Sequence, residues 1–210
     1  MIIALASNKG GVGKTTLSMN LASGLFRRSE THMIDADPQQ SSTQWSRVGN
    51  LSGFKAPSIE NLENESIESL VNRLKDKYEY LVIDCPPSIH APQTQEALLL
   101  ADIAILPVQP SPIDLWATVH IAQTIKEIQK TNTNLRAFAV INQLEPRTTL
   151  SRVMQGALGQ LSLPALPVAI KRRAIFRNCL LDGRTIYDCG SRGSDAIAEF
   201  EAIIEEVIKL

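Results

Sequence analysis

Short apolar runs rich in β-branched residues alternate along the chain with longer segments whose apolar positions recur at helical spacing. The apolar runs predict strands at residues 2–7, 32–35, 80–85, 103–108 and 137–142. The helical segments predict helices near residues 15–27, 67–77, 92–100, 115–130, 149–161 and 195–210. Continuously apolar strands separated by helices are typical of the α/β class, so we expect a mostly parallel, twisted central sheet with helices on both faces.

Polar residues that could bind a ligand follow several of these strands. A glycine-rich segment follows the first strand, Asp35 and Asp37 follow the second, Asp84 follows the third and Asn142 follows the last. In parallel sheets ligands bind outside the carboxyl ends of the strands, where all of these residues fall. Since we see no internal repeat and no linker, we expect one domain over residues 1–210 with its site at this edge.

The glycine-rich segment has the form of a phosphate-binding loop, because it stands between a strand and a helix. Its glycines allow consecutive backbone N–H groups to turn towards one anion, and the following helix adds the positive end of its dipole. Lys14 would reach the terminal phosphates, and the Thr15 hydroxyl would bind Mg²⁺. The segment therefore predicts a nucleoside triphosphate site built from Lys9, Gly10, Gly11, Val12, Gly13, Lys14, Thr15 and Thr16.

The strand-end acids and the strand-end amide extend this site. Asp35 and Asp37 suit water activation and hydrogen bonding to a magnesium shell, although a turn stabilised by their side chains explains the spacing equally well. Asp84 ends an apolar strand, the pattern in which a carboxylate holds the Mg²⁺ hydration shell. Asn142 can pair a donor and an acceptor with an adenine edge, or it can be an ordinary turn residue.

The loop departs from the common pattern G-x-x-x-x-G-K-[ST]. Asn8 stands where that pattern has glycine, and Lys9 is a second lysine ahead of the glycines. The variant KGGVGKTT resembles the signature of the deviant Walker A ATPases. Asp37 in the D-x-D-P segment, the D-x-P-P form after Asp84 and the segment 183–188 extend the resemblance to the ParA/Soj partition ATPases, specifically the short plasmid kind without an N-terminal helix-turn-helix.

The resemblance implies a P-loop NTPase fold and a role for each site residue. Lys9 would reach the phosphates bound by a second subunit, Lys14 would hold the phosphates of its own subunit, and Asp37 would position or activate the hydrolytic water. Thr15, Asp35 and Asp84 would serve the Mg²⁺. Asn142 would contact the base, which makes ATP the expected nucleotide.

The resemblance also implies partners. An ATP-bound homodimer would bind nonspecific DNA, and a small centromere-binding or adaptor protein would stimulate its hydrolysis and release. The protein would then be cytoplasmic, associated with the nucleoid and independent of membranes. Release would leave a gradient of the DNA-bound ATPase, and the cargo would follow that gradient. We expect the cargo to be DNA.

Two further segments carry open alternatives. Residues 109–116 resemble a loop that contacts the second subunit, but they also fit a proline-fixed turn in which Asp114 caps the next helix. In that helix we expect Ile121, Ile125 and Ile128, with Trp116 nearby, to belong to the core rather than to an interface.

The most basic segment of the chain lies near its C-terminal end. Between residues 171 and 192 there are six Lys or Arg residues and two acids. Such a segment would neutralise DNA phosphates, and it could equally be a solvated helix face or a wall around the nucleotide base. The candidate DNA contacts are Lys171, Arg172, Arg173 and Arg177.

Composition narrows the function classes. The net charge of −1 over 210 residues means that any DNA binding must come from a local patch. No apolar run is long enough to span a membrane, and the final helix carries too few cations to bind anionic lipid, so we expect it to pack on the sheet. We expect Cys85, Cys179 and Cys189 to be free thiols in a reducing compartment.

Three other functions fit parts of the same sequence. One is a positioning ATPase for a non-DNA cargo, such as a protein compartment or a chemoreceptor cluster, which would share the whole nucleotide site. Another is an ATP-dependent ligase or synthetase, which would need a second pocket for a carboxylate substrate. A third is a reductase resembling the nitrogenase iron protein, which would need cysteines that bridge two subunits through an iron–sulfur cluster.

Overall fold

A single parallel sheet forms the centre of the molecule. The computed structural model describes residues 1–146 and 163–209. Within these residues the sheet has the strands β1 Ile2–Leu5, β2 Thr31–Asp35, β3 Ser58–Asn61, β4 Tyr80–Asp84, β5 Ile103–Val108 and β6 Arg136–Ile141. Their order is β3-β2-β4-β1-β5-β6, and every described pairing is parallel. Because β1 lies between β4 and β5, the loop after β1 opens at the middle of the carboxyl edge.

Helices cover both faces of this sheet. Their bounds are α1 Lys14–Phe26, α2 Ser41–Leu51, α3 Ile67–Leu74, α4 Pro92–Leu100, α5 Pro112–Gln129, α6 Ala174–Leu181 and α7 Ser194–Ile208, with short 3₁₀ turns at Ile186–Asp188 and Gly190–Gly193. One core packs α3, α4 and α5 against the sheet. The other packs α1 and α7 against the opposite face. The expected P-loop α/β architecture is therefore confirmed.

All five strands predicted from apolar runs are present, but the edge strand β3 was not predicted. Its sequence, Ser-Ile-Glu-Asn, has no apolar run, and its residues are only partly covered because it pairs with β2 alone. Helix α2 was also missed. Its buried face, formed by Ser42, Trp45, Ser46 and Gly49, follows helical spacing but contains a single large apolar residue, so the sequence shows no apolar stripe there.

The predicted helices agree with α1, α3, α4, α5 and α7 within a few residues at their ends. The helix predicted at 149–161 lies outside the described residues. Helix α5 begins at Pro112, and the Ser111 side chain accepts a hydrogen bond from the Asp114 backbone N–H at 3.4 Å. The prediction that Asp114 could cap this helix is therefore wrong, because Asp114 already lies within its first turn.

Helix α5 presents two different faces. Ile121, Ile125 and Ile128 are buried, as predicted. Trp116 is 68% exposed, so its assignment to the core is wrong. The reason is helical geometry, since a residue five positions before Ile121 lies about 140° away around the helix axis. Ile113 and Val119 are exposed as well.

Two of the three cysteines differ from the prediction. Cys85 is a free, buried thiol, as expected. Cys179 and Cys189 instead form a disulfide between the end of α6 and the turn before Gly190–Gly193. The chain reverses after α6, where Arg184 N–H donates to the Cys179 carbonyl at 2.9 Å, and this fold-back brings the two cysteines together.

The final helix packs on the sheet, as its apolar spacing predicts. In α7 the side chains of Phe200, Ile203, Ile204 and Val207 are buried in the core that also contains α1. Among the described residues, no helix is both long enough and apolar enough to cross a membrane.

Candidate functional site

The glycine-rich loop lies between β1 and α1, at the centre of the carboxyl edge of the sheet. Gly11 and Gly13 have φ angles of +78° and +86°, a backbone region that favours glycine. In front of the loop is a cavity of about 450 Å³, and its other walls come from Asp37, Gln39, Ser41, Trp45, Pro87, Gln143 and Leu180. The whole segment from Lys9 to Thr16 lines this cavity, as the sequence predicts for a phosphate site.

A buried ion pair stands behind the loop. The Lys14 Nζ lies 3.7 Å from Asp84 Oδ1, and both side chains are almost completely buried. Ser18, one helical turn after Lys14, donates its hydroxyl to the same Oδ1 at 2.9 Å. The structure thus brings together two residues that the sequence assigned to the phosphates and to the Mg²⁺, and it adds Ser18, which the sequence reading did not include.

Burial raises the pKa of Asp84 from its ordinary value of 3.8 to about 6. The positive charge of Lys14 and the hydroxyls of Thr15 and Ser18 oppose this rise by favouring the carboxylate. The other carboxylate oxygen, Oδ2, is buried without a hydrogen-bond partner in the described chain. A buried oxygen with no partner is costly unless a ligand satisfies it, so Asp84 has the capacity to accept one more donor or a cation shell.

Asp35, the last residue of β2, and Asp37, two residues later, have different surroundings. Asp35 is buried, and its Oδ2 accepts hydrogen bonds from the Thr43 hydroxyl at 2.8 Å and the Thr43 N–H at 2.9 Å. It therefore ties the end of β2 to the start of α2. Asp37 is half-buried, lines the loop cavity, and accepts the Gln39 N–H at 3.0 Å. Only Asp37 of the two faces the space in front of the loop.

Lys9 forms an ion pair with Asp114 of α5. The Lys9 side chain is 44% exposed, whereas the Asp114 side chain is buried. In this arrangement Lys9 is held by its own chain, on a helix that also carries the exposed Ile113 and Trp116 side chains.

Three side-chain amides contact the outer side of the loop. Asn142 donates its Nδ2 to the Val12 carbonyl at 2.7 Å, and Gln109 donates its Nε2 to the Gly11 carbonyl at 3.0 Å. The Gln143 amide reaches the same Gly11 carbonyl at 3.4 Å. The residue predicted to contact adenine is thus buried against the phosphate loop, while its neighbours in space add to that contact.

A second cavity, of about 320 Å³, adjoins the first. The two cavities share Gly13, Thr16, Gln143 and Leu180 as lining residues. The remaining walls of the second cavity are Asn142, Lys171, Arg172, Arg173, Ala174, Phe176 and Arg177. The basic segment therefore encloses space directly beside the phosphate loop, which is the arrangement that one of its sequence alternatives, a wall around the base, requires.

Most of the positive charge of this segment is already paired. Arg173 contacts Asp195 at 3.3 Å and Glu199 at 2.8 Å. Lys171 lies 3.4 Å from Glu199, and Arg172 lies 2.7 Å from Glu145. Arg177 is exposed and has no ion pair within the described ranges. The predicted DNA contacts thus lie together on one surface, but three of the four are neutralised by acids of the same chain.

The functional candidates that sequence reasoning missed are side chains that act on the loop rather than on a ligand. Ser18 could have been found from its spacing, because residue i+4 shares a helix face with Lys14. Gln109 and Gln143 gave no signal of their own. Gln143 also has a φ of +59°, a left-handed conformation that sequence spacing does not reveal for a glutamine.

Known proteins resemble this chain along most of its length. Residues 3–186 match the family model described as CobQ/CobB/MinD/ParA nucleotide binding domain. The maintenance of carboxysome distribution protein A of Halothiobacillus neapolitanus is 35% identical over 207 residues, which cover 98% of this chain and 95% of that protein. The sporulation initiation inhibitor protein Soj of Bacillus subtilis is 26% identical over 238 residues, which cover 92% of this chain and 94% of Soj.

Among solved structures, the apo McdA structure from Cyanthece superposes with a TM-score of 0.80 over 99% of both chains. The sequence identity in that superposition is 16%, so this likeness establishes the fold. It agrees with the parallel-sheet fold described above.

Proposed function

Because the chain belongs to the CobQ/CobB/MinD/ParA family of nucleotide-binding domains, we propose that it is a Mg²⁺-dependent ATPase that positions a protein-built cargo in the cell. The observation that carries the cargo class is the 35% identity, over 98% of this chain, to a protein named for carboxysome distribution. The identity to Soj is 26%. This order favours the positioning alternative over the partition of DNA, which the sequence motifs alone had placed first.

The residues around the loop fit Mg²⁺ bound together with a nucleotide. Magnesium is usually held by one or two carboxylates plus substrate phosphates, rather than by a cage of protein ligands. In agreement, the described residues contain no group of three or more His, Cys, Asp or Glu side chains that could hold a metal ion. Asp84, with one buried oxygen that lacks a partner, and the Thr15 hydroxyl would hold the ion. When bound, Mg²⁺ would neutralise charge that develops on the phosphate oxygens.

The other residues have separate tasks in this proposal. The backbone N–H groups of the loop and Lys14 bind the phosphates and stabilise the charge of the transition state. Asp37, which faces the loop cavity, orients the attacking water. Asp35 acts indirectly, because its bonds to Thr43 fix the start of α2 and with it the turn that contains Asp37.

Lys9 links the nucleotide to dimerisation in this proposal. To reach phosphates in a second subunit, Lys9 must leave Asp114, which holds it within its own chain. The ion pair therefore represents the resting position of this lysine, and the ATP-bound homodimer its active position. Nonspecific DNA would serve as the surface on which the dimer moves, and a small adaptor protein would connect the dimer to its cargo and stimulate hydrolysis.

Deletion of the gene in its native host tests the cargo class. After deletion, protein-shelled compartments should cluster when they are imaged by electron cryotomography, while the loss rate of each replicon stays unchanged. Complementation with the Lys14→Ala variant should fail to restore the distribution. Replicon loss with evenly spaced compartments, or a host without such compartments, would overturn the proposal.

The partition of DNA is the second candidate. It is supported by the relationship to Soj and by the basic segment beside the nucleotide cavity. The same deletion separates the two candidates, because a partition ATPase predicts replicon loss as the primary defect.

A further inference from the structure

The outer side of the phosphate loop is held by amides from two neighbouring strand ends. Gln109 follows β5, and Asn142 and Gln143 follow β6. Their amide groups donate to the carbonyls of Gly11 and Val12, at 3.0 Å from Gln109, 2.7 Å from Asn142 and 3.4 Å from Gln143. We call these three residues the amide clamp.

The clamp determines where the N–H groups of the loop point. In a trans peptide the C=O and the following N–H lie on opposite sides of the bond, so fixing one fixes the other. With the carbonyls of Gly11 and Val12 bound to the clamp, the N–H groups of Val12 and Gly13 are turned away from it. Within the described ranges neither N–H donates to a protein acceptor. They remain available for an anion.

Close packing leaves the loop little freedom to rotate out of this position. A Cβ atom at Gly13 would lie 2.4 Å from Asn142 Nδ2, so the backbone and the amide are already in contact. Asn142 is only 6% exposed, and its Oδ1 accepts the Gln143 N–H at 3.0 Å. Asn142 therefore uses one of its two amide N–H groups and one acceptor position of its oxygen to hold the end of β6 against the loop.

From these contacts we propose that Gln109, Asn142 and Gln143 are positioning residues for phosphate binding, which act by holding the Gly11 and Val12 carbonyls of the phosphate loop. The amides hold the carbonyls on one side so that the N–H groups on the other side meet the phosphates without rearrangement. Such preorganisation is the general source of strong anion binding by oriented backbone groups. The inference rests on the nucleotide-binding part of the proposed function and is independent of the cargo.

Inorganic tripolyphosphate provides the decisive probe, because it has the phosphates of ATP without the base. Affinities for ATP, GTP and tripolyphosphate would be measured by calorimetry in Mg²⁺ for the wild type and for Asn142→Ala and Gln109→Met. Gln129→Met is the matched control, since Gln129 also donates its amide to a backbone carbonyl, that of Leu135 at 2.9 Å, at the far end of α5. Thermal unfolding would be recorded for each variant.

If the clamp positions the loop, Asn142→Ala and Gln109→Met each weaken the binding of tripolyphosphate by about tenfold for one lost hydrogen bond. Gln109→Met weakens the binding of ATP by the same factor. Gln109→Met leaves the ATP-to-GTP preference unchanged, and Gln129→Met alters no affinity. A changed ATP-to-GTP preference in Asn142→Ala with normal tripolyphosphate binding would overturn the inference for Asn142.

The remaining outcomes are equally informative. Equal affinities of Gln109→Met and Gln129→Met for tripolyphosphate would overturn the inference for Gln109. If Asn142→Ala does not fold, the half-buried Gln109 still tests the clamp. A wild-type protein that binds tripolyphosphate but does not position cargo would refute the proposed cargo alone, whereas one that binds neither ATP nor tripolyphosphate would refute the nucleotide site itself.

Discussion

The phosphate loop and the basic segment 171–177 line adjoining cavities, yet they hold their positive charge in different ways. Lys14 is buried with Asp84, and backbone turns and amides fix the loop around it. In the basic segment, the 61% exposed Arg172 pairs with the exposed Glu145, and the 46% exposed Lys171 pairs with the mostly buried Glu199. The charge of Lys14 is therefore buried in the protein, whereas the charges of Lys171 and Arg172 lie nearer the solvent and are held by single acidic side chains.

This difference has an energetic consequence. Exposed ion pairs contribute about 0–1 kcal/mol, so Arg172 can exchange Glu145 for a ligand at little cost. A buried charge that loses its partner costs about 3–5 kcal/mol, so the Lys14–Asp84 arrangement cannot rearrange freely. The phosphate end of the site is therefore built before the ligand arrives, and the basic end can adapt to what binds.

Removing the buried cation should have the largest effect. Without nucleotide, Lys14→Met should lower the free energy of unfolding at pH 8 by about 3–5 kcal/mol, because it leaves the Asp84 carboxylate buried without its cation. Lys130→Met, which breaks an exposed pair with Glu127, should lower it by less than about 1 kcal/mol. Denaturant titration measures both. Equal losses of unfolding free energy in Lys14→Met and Lys130→Met would contradict the difference between the buried and the exposed ion pair.

The same pair predicts a pH dependence. The pKa of Asp84 in the folded protein is raised to about 6, from an ordinary value of 3.8. For an acid with a raised pKa, the stability contribution is complete below the unfolded pKa and is lost as the pH rises through the folded pKa. Losing Lys14 raises the folded pKa further, so the destabilisation by Lys14→Met should be smaller at pH 5 than at pH 8. If the destabilisation by Lys14→Met is the same at pH 5 and pH 8, folding does not shift the pKa of Asp84 in the way described.

Asp37 tests whether catalysis can be separated from the preformed loop. Asp37→Asn should bind ATP within about threefold of the wild type but hydrolyse it at least about a hundredfold more slowly, because the water loses the group that orients it. Single-turnover hydrolysis and equilibrium binding measure the two effects. Asp76→Asn, which removes an exposed acid after α3, is the control. If Asp37→Asn also loses ATP binding, Asp37 contributes to nucleotide binding together with the loop rather than to catalysis alone.

Gly13 tests how tightly the loop is packed. Gly13→Ala should weaken ATP binding by about tenfold or more, since its φ is +86° and its Cβ would lie 2.4 Å from Asn142. Gly53→Ala is the control, with a φ of +79° but no atom within 4 Å of the added Cβ. It carries backbone strain of about 1 kcal/mol without the collision, so its ATP binding should be normal. Normal binding by both variants would indicate that the loop adapts.

The same contrast explains which parts of the molecule the sequence could predict. The loop needs glycines at particular positions and a strand and a helix beside it, and all of these requirements are local. Asp84 ends an apolar strand and Asp37 follows another. The parallel sheet therefore places both residues at its carboxyl edge. The core strands and the face of α5 with Ile121 and Ile125 follow from apolar periodicity.

Other features depend on contacts between distant segments and give no local signal. Strand β3 is polar and is a strand because β2 offers it an edge. Gln109 reaches Gly11 across 98 positions of sequence, and Asn142 reaches Val12 across 130. The basic segment was visible as charge, but its neutralisation by Glu199 and Asp195 depends on how α7 packs.

The smallest expected effects concern the basic segment itself. Arg177→Ala should leave stability unchanged, because Arg177 is exposed and has no ion pair within the described residues. Arg173→Ala should cost about 1 kcal/mol, since Arg173 contacts both Asp195 and Glu199. If the segment binds DNA in the ATP state, Arg177→Ala should lower the slope of log affinity against log salt by about 1. Lys126→Ala, on the outer side of α5, should leave that slope unchanged. Equal slopes for Arg177→Ala, Lys126→Ala and the wild type would show that Arg177 contacts no DNA phosphate.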